Sequence, residues 1–226
     1  MKIKTDEIKK LAVAAILLTV FFHCDQDILG QRSWAFNFSL GDAYCFSMPL
    51  IIEQEGYERI KFTAHYRTEA FQLPVYYSWK IGTSKNRKGW ELELTHLKLY
   101  LTNNPPEIQY FSVSHGYNYL TINRIWVTDP VILRLGAGVI VSHPESKVRN
   151  MEYDTHQGLF NRGYHFSGPG LQVTAEKRFR ILKGLFFSLE AKATVAIAKV
   201  GIAEGHAIVP QAGFHGLFGL GYEFEK

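Results

Sequence analysis

The sequence predicts an all-β fold: a closed antiparallel transmembrane β-barrel of about eight to ten strands, preceded by a signal peptide. Two observations carry this expectation. Beyond one amino-terminal apolar run, no segment approaches the roughly eighteen consecutive apolar residues of a membrane helix. Apolar and polar residues instead alternate with period two through most of the chain, and the polar sides carry both signs of charge, as a confined lumen cross-linked by ion pairs would.

The 226 residues suit one domain, expected over 31–226. A composition of 46% hydrophobic, 14% aromatic and 20% charged residues excludes disorder. Mean hydropathy of −0.09 decides nothing further, because a barrel with an apolar outside and a polar inside averages to the value of a soluble globule.

Residues 1–30 read as the signal peptide. Met1 to Lys10 carries four lysines, and the twelve-residue apolar run LAVAAILLTVFF follows at Leu11–Phe22. As a helix those twelve residues rise about 18 Å, short of a hydrocarbon layer roughly 30 Å thick. Cleavage after Gly30 places Ile28 and Gly30 at −3 and −1 and leaves Gln31 as the amino terminus. Cys24 raises a lipoprotein alternative, but Phe-Phe-His before it lacks the small residue that lipidation requires. Cys45 then remains alone, which leaves no intramolecular disulfide and no cysteine spacing for zinc.

The clearest strand is Leu185 to Lys199, where Phe187, Leu189, Ala191, Ala193, Val195 and Ile197 oppose Ser188, Glu190, Lys192 and Thr194. Trp34 to Ala43, Tyr57 to Arg67, Val131 to Val141 and Gly170 to Phe179 alternate in the same way. In Trp90 to Leu101 the faces exchange at Thr95-His96. A β-bulge there keeps Glu91, Glu93, Lys98 and Tyr100 inside and the leucines outside. Short breaks fall at 103–106, 128–130 and 182–184, and long polar stretches at 83–89, 142–162 and 201–211. Short periplasmic turns alternate with long outer loops if the barrel has about ten strands. Eight remains open, because Phe71 to Ile81 and Gln109 to Trp126 resist division.

At the carboxyl terminus Phe214, Gly216, Phe218, Leu220, Tyr222 and Phe224 alternate to within two residues of the end. With Gly219, Tyr222 and Phe224 in position, this segment resembles the closing strand of bacterial outer-membrane barrels. It departs from that pattern in Glu225 and Lys226 after the aromatic and in Leu217 where a polar residue is preferred. The resemblance implies an integral outer-membrane location, contact with outer-membrane lipid, and passage through the barrel-assembly machinery.

Two residue sets carry possible chemistry. Ser112, Ser114 and His115, with His96 and Glu93 from the preceding strand, supply the serine, histidine and carboxylate of an acyl-transfer site. Some small outer-membrane barrels that deacylate or acylate lipid A are built from these residue types, and this segment loosely resembles theirs. Their serine follows the histidine by two, however, whereas Ser114 and His115 are neighbours on opposite strand faces. The second set is the lumen charges: Arg59, Lys61, Glu91, Glu93, Lys98, Arg134, Glu176, Arg178, Glu190, Lys192 and Glu223. These read as mutually paired and plugging, with a narrow pore the weaker alternative.

His143, Glu145, Asp154, His156 and His165 offer the imidazoles and carboxylates of a divalent-metal site, but no fixed spacing supports one, and a solvated loop is the favoured reading. No cofactor is expected. The formal charge of +4 survives removal of residues 1–30, which hold four lysines and four acidic residues, and so modest an excess does not imply nucleic acid. The favoured expectation is a structural or interaction barrel, a candidate subunit of an envelope assembly, with recognition in the loops at 142–162 and 201–211. An envelope-lipid hydrolase or acyltransferase is the alternative.

Overall fold

A computed structural model describes residues 33–155, 158–159 and 161–225. The expected signal peptide, Cys24 and His156 lie outside the described residues. The strands are β1 (Ser33–Cys45), β2 (Met48–Gln54), β3 (Ile60–Ala64), β4 (Tyr66–Arg67), β5 (Tyr77–Lys85), β6 (Lys88–His96), β7 (Leu99–Leu101), β8 (Ile108–Val113), β9 (Tyr117–Val127), β10 (Ile132–Ser142), β11 (Glu145–Val148), β12 (Met151–Glu152), β13 (His165–Arg180), β14 (Leu185–Ile202) and β15 (Gly205–Glu225). Among the described residues no helix is long and apolar enough to cross a membrane.

Eight strands close a barrel in the order β1, β5, β6, β9, β10, β13, β14, β15, with β15 returning to β1. Every neighbour is antiparallel, and the closing seam pairs Ser33 with Glu225 and Phe38 with Leu220. Alternation fixes this register, because a one-residue slip would turn a strand's charged side chains into lipid. The outward set is apolar and exposed, including Trp34, Trp79, Trp90, Leu92, Ile122, Leu135, Leu171, Val195, Phe218 and Phe224. The inward set, including Lys80, Glu93, Arg134, Glu176 and Lys192, is fully buried. This inverts a soluble protein and matches a wall facing hydrocarbon.

Both strand termini at the β1–β15 seam lie at the end of the barrel that carries the short turns. Asn86 and Arg87, both at positive φ, make the two-residue turn between β5 and β6. The segment 83–89, read from sequence as a long stretch, is therefore a tight hairpin. By the usual asymmetry of such barrels this end is periplasmic and the opposite, elaborated end is extracellular.

At the elaborated end much of the chain between the barrel strands forms further β-structure. β14 and β15 run on past the barrel to a hairpin tip at 203–204, so 201–211 is strand apart from that tip. β2 pairs with the upper part of β15, and β3 with β2. A second sheet in the order β12-β11-β8-β7-β4 stands with them. Leu50, Ile52, Leu97, Leu99, Ile108, Phe111, Val113, Val148, Val200 and Val209 bury their side chains in one apolar cluster that continues to Tyr119 and Ile140 in the upper barrel.

This outer structure accounts for the difference between the ten-strand expectation and the eight strands observed. Tyr57 to Arg67 alternates because β3 and β4 belong to the outer sheets, and the break at 103–106 links β7 to β8 there. The face exchange at Thr95-His96 is no bulge: β6 ends at His96 and the chain passes to the second sheet, burying Leu97, Leu99 and Leu101.

Candidate functional site

Two regions hold the candidate residues. The first is the lumen. Arg134 on β10 meets Glu91 on β6 with Nε to Oε1 at 2.8 Å and Nη2 to Oε2 at 3.2 Å, and also reaches Glu176 at 2.9 Å. Lys80 on β5 bonds Glu176 at 3.1 Å and also Glu190. Lys192 bonds Glu93 and approaches Glu190 at 3.4 Å. Arg178 pairs with Glu176 and lies 3.7 Å from Glu223. Ser78 and Asn123 donate to Glu93 at 2.7 and 2.8 Å, and Gln172 donates to it as well.

A buried charge is tolerated when it is paired and hydrogen-bonded, and every charged group here has an ion-pair partner, although Arg134 Nη1 and Glu190 Oε1 make no hydrogen bond among the described residues. The network is mostly buried inside the barrel wall. Above it sits a neutral layer in which Tyr76 and Thr194 hold opposite ring nitrogens of His215 at 2.8 and 2.9 Å. The network contains eight of the residues expected in it and adds Lys80, which the undivided segment 71–81 concealed.

Three expected members lie elsewhere. Arg59 pairs with Glu53 at 2.7 Å on an exposed outer surface, and Lys61 is exposed on β3. Lys98 donates to the Gln72 carbonyl at 2.8 Å beyond the end of β6. All three alternate with apolar neighbours because Lys61 lies in an outer sheet and Arg59 and Lys98 lie immediately before outer strands, whose period is also two.

The second region is the outer rim, where the serines and histidines lie. His115 occupies the turn between β8 and β9. Its Nδ1 lies 2.8 Å from Glu145 Oε1 and 3.4 Å from Ser114 Oγ. An acyl-transfer relay needs serine and carboxylate on opposite imidazole nitrogens, so that one takes the hydroxyl proton while the other is oriented. Here both address Nδ1. Ser114 is also buried, as is Ser112 on β8, whose backbone partners are Tyr100 and Glu145. Glu93 belongs to the lumen network, and His96 Nδ1 is bonded to the Asn118 side chain at 2.7 Å. The five residues expected to form a catalytic set are therefore divided among three surroundings.

His143, expected in a solvated loop, is buried and joins Glu145 to His115, a member that the sequence did not reveal. Its ring meets that of His115 edge-on at 4.8 Å and stacks on Tyr164 at 5.0 Å. Burial, reinforced by the neighbouring His115, holds its pKa below the usual histidine value. Below the rim a cavity of about 390 Å³ opens on the outer wall, lined by Tyr77, Leu94, His96, Asn118, Leu120 and Val141 and roofed by Pro74, His115 and Tyr164.

No protein-family model matches the sequence, and no curated protein matches it. Similar solved structures include the outer membrane protein OprG from Pseudomonas aeruginosa, at 11% identity over 88% of this chain and 97% of that one, with a TM-score of 0.49. Outer Membrane Protein W of E. coli is 15% identical over 88% of this chain and 100% of its own, with a TM-score of 0.40. Ail of Yersinia pestis is 12% identical over 87% and 100%, with a TM-score of 0.38. The closed antiparallel wall, its apolar exterior and its charged, paired interior make this chain an integral β-barrel of the bacterial outer membrane.

Proposed function

We propose that the chain is a non-enzymatic interaction barrel that displays a rigid, β-structured surface outside the cell for recognition of envelope partners. The observation that carries this reading is the outer apolar cluster. Leu97, Leu99, Val113, Val200 and Val209 are each almost completely buried beyond the charged plug, so the exposed end is a packed body rather than a set of free loops. Preordered surfaces lose little conformational freedom on binding, which favours recognition. The plugged lumen argues against conduction, and the shared Nδ1 of His115 argues against serine hydrolysis.

The test combines two measurements on cells with and without the chain. Photo-crosslinking from Tyr57 and Phe71, both exposed on the outer body, is expected to trap a discrete envelope protein, while crosslinking from Lys88 at the periplasmic turn does not. Mass analysis of lipid A is expected to show unchanged acyl chains. Loss or gain of an acyl chain would replace the proposal with an envelope-lipid enzyme.

A further inference from the structure

We propose that His115, His143 and Glu145 form a binding site for a divalent transition-metal cation, with Zn²⁺ the best match, that clasps the outer body to the barrel rim. This goes beyond the recognition proposal and does not depend on it. One ligand atom from each residue lies within 4.8 Å of the other two. Tetrahedral zinc with bonds of about 2.0–2.1 Å holds its ligand atoms about 3.4 Å apart, so small side-chain rotations complete the geometry. Two imidazoles and one carboxylate suit a borderline cation and leave one position open for water.

The backbone sets this cluster up without help from a metal. His143 N donates to the Gly116 carbonyl at 3.1 Å, which ties the β10–β11 connection to the β8–β9 turn that carries His115. Glu145 lies opposite Ser112 in the β8–β11 ladder. The independent pointer to a ligand is His143 itself: the residue is only 9% exposed, and its Nδ1 is buried with no hydrogen-bond partner among the described residues. A buried imidazole nitrogen left unpaired carries an uncompensated desolvation penalty, which coordination through Nδ1 would remove. Coordination would also rearrange the His115–Glu145 pair at 2.8 Å, converting a two-residue contact into a three-residue clasp.

The experiment is calorimetric titration of ZnCl₂ into the chain folded in detergent micelles. It compares the unaltered protein with His143→Ala, Glu145→Gln and, as a control, His206→Ala, whose imidazole lies 3.3 Å from Glu53 near the hairpin tip. The expected result is one Zn²⁺ per chain for the unaltered protein and the control, and affinity weakened more than about tenfold in the other two. Zn²⁺ is expected to slow proteolysis of the 149–164 segment, and Co²⁺ to give the visible absorption of a tetrahedral site. Heat-modifiable mobility reports whether each variant is folded, and if His143→Ala misfolds, the isosteric Glu145→Gln decides. No saturable binding, or binding that Glu145→Gln and His143→Ala leave unchanged, overturns the proposal.

Discussion

Arg134 and Glu91 face each other across the barrel interior in a two-pronged ion pair, at 2.8 and 3.2 Å, from strands separated by β9. The pair joins non-neighbouring parts of the wall and is itself enclosed by Glu176 and Glu190. Its energetics differ from those of a surface bridge, because removing one partner strands the others in a water-poor space.

Arg134→Met is accordingly expected to destabilise the folded barrel by about 3–5 kcal/mol, since it leaves buried carboxylates uncompensated. Urea unfolding in lipid bilayers checks this. A loss below about 1 kcal/mol, the range of exposed pairs, would mean that the lumen is wet.

Ile122 is 59% exposed on the outer wall, between the Trp90–Arg124 level and the rim. Ile122→Arg is expected to cost about 2–4 kcal/mol in bilayers, whereas Leu133→Arg beside the 128–131 turn costs about 0–1 kcal/mol. Equal, negligible effects at both positions would place the wall in water.

Leu99 is fully buried in the outer cluster, away from the membrane wall. Leu99→Ala is expected to weaken the outer body by about 2–5 kcal/mol. Proteolysis of 97–116 in Leu99→Ala should accelerate while heat-modifiable mobility, which reports the barrel, persists. Simultaneous loss of both would show that the two parts unfold as one unit.

Gly163 sits at φ 74°, and a Cβ there would lie 2.2 Å from His143 Nε2. Gly163→Ala is expected to displace the His143 ring from Tyr164 and to cost about 1–3 kcal/mol, combining a left-handed backbone with the steric conflict. The signature is faster proteolysis of the 149–164 segment without loss of the barrel.

Period-two alternation made β1, β10, β13, β14 and β15 legible in the sequence, together with the lumen positions of Glu91, Glu93, Arg134, Glu176, Glu190 and Lys192. The same pattern misplaced Arg59, Lys61 and Lys98, because a membrane wall and a pair of packed sheets share that period and differ only in what lies beyond the apolar face. Leu97, Leu99 and Leu101 face protein, whereas Leu92 and Leu94 face outward, and nothing in WELELTHLKLYL distinguishes the two environments. The rim cluster was still less accessible. His115 comes from one connection and His143 and Glu145 from another, and the Gly116–His143 backbone bond, together with the pairing of Glu145 with Ser112, brings them together.

The most direct measurement of the central claim, an outer-membrane barrel carrying an ordered external body, is thiol labelling of intact cells with a membrane-impermeant maleimide. With Cys45 replaced by serine, single cysteines are introduced at Phe71 on the outer body and at Lys88 at the short-turn end. Phe71→Cys is expected to label in intact cells, and Lys88→Cys only after the envelope is opened. Labelling of Lys88→Cys in intact cells with Phe71→Cys protected would contradict the claim.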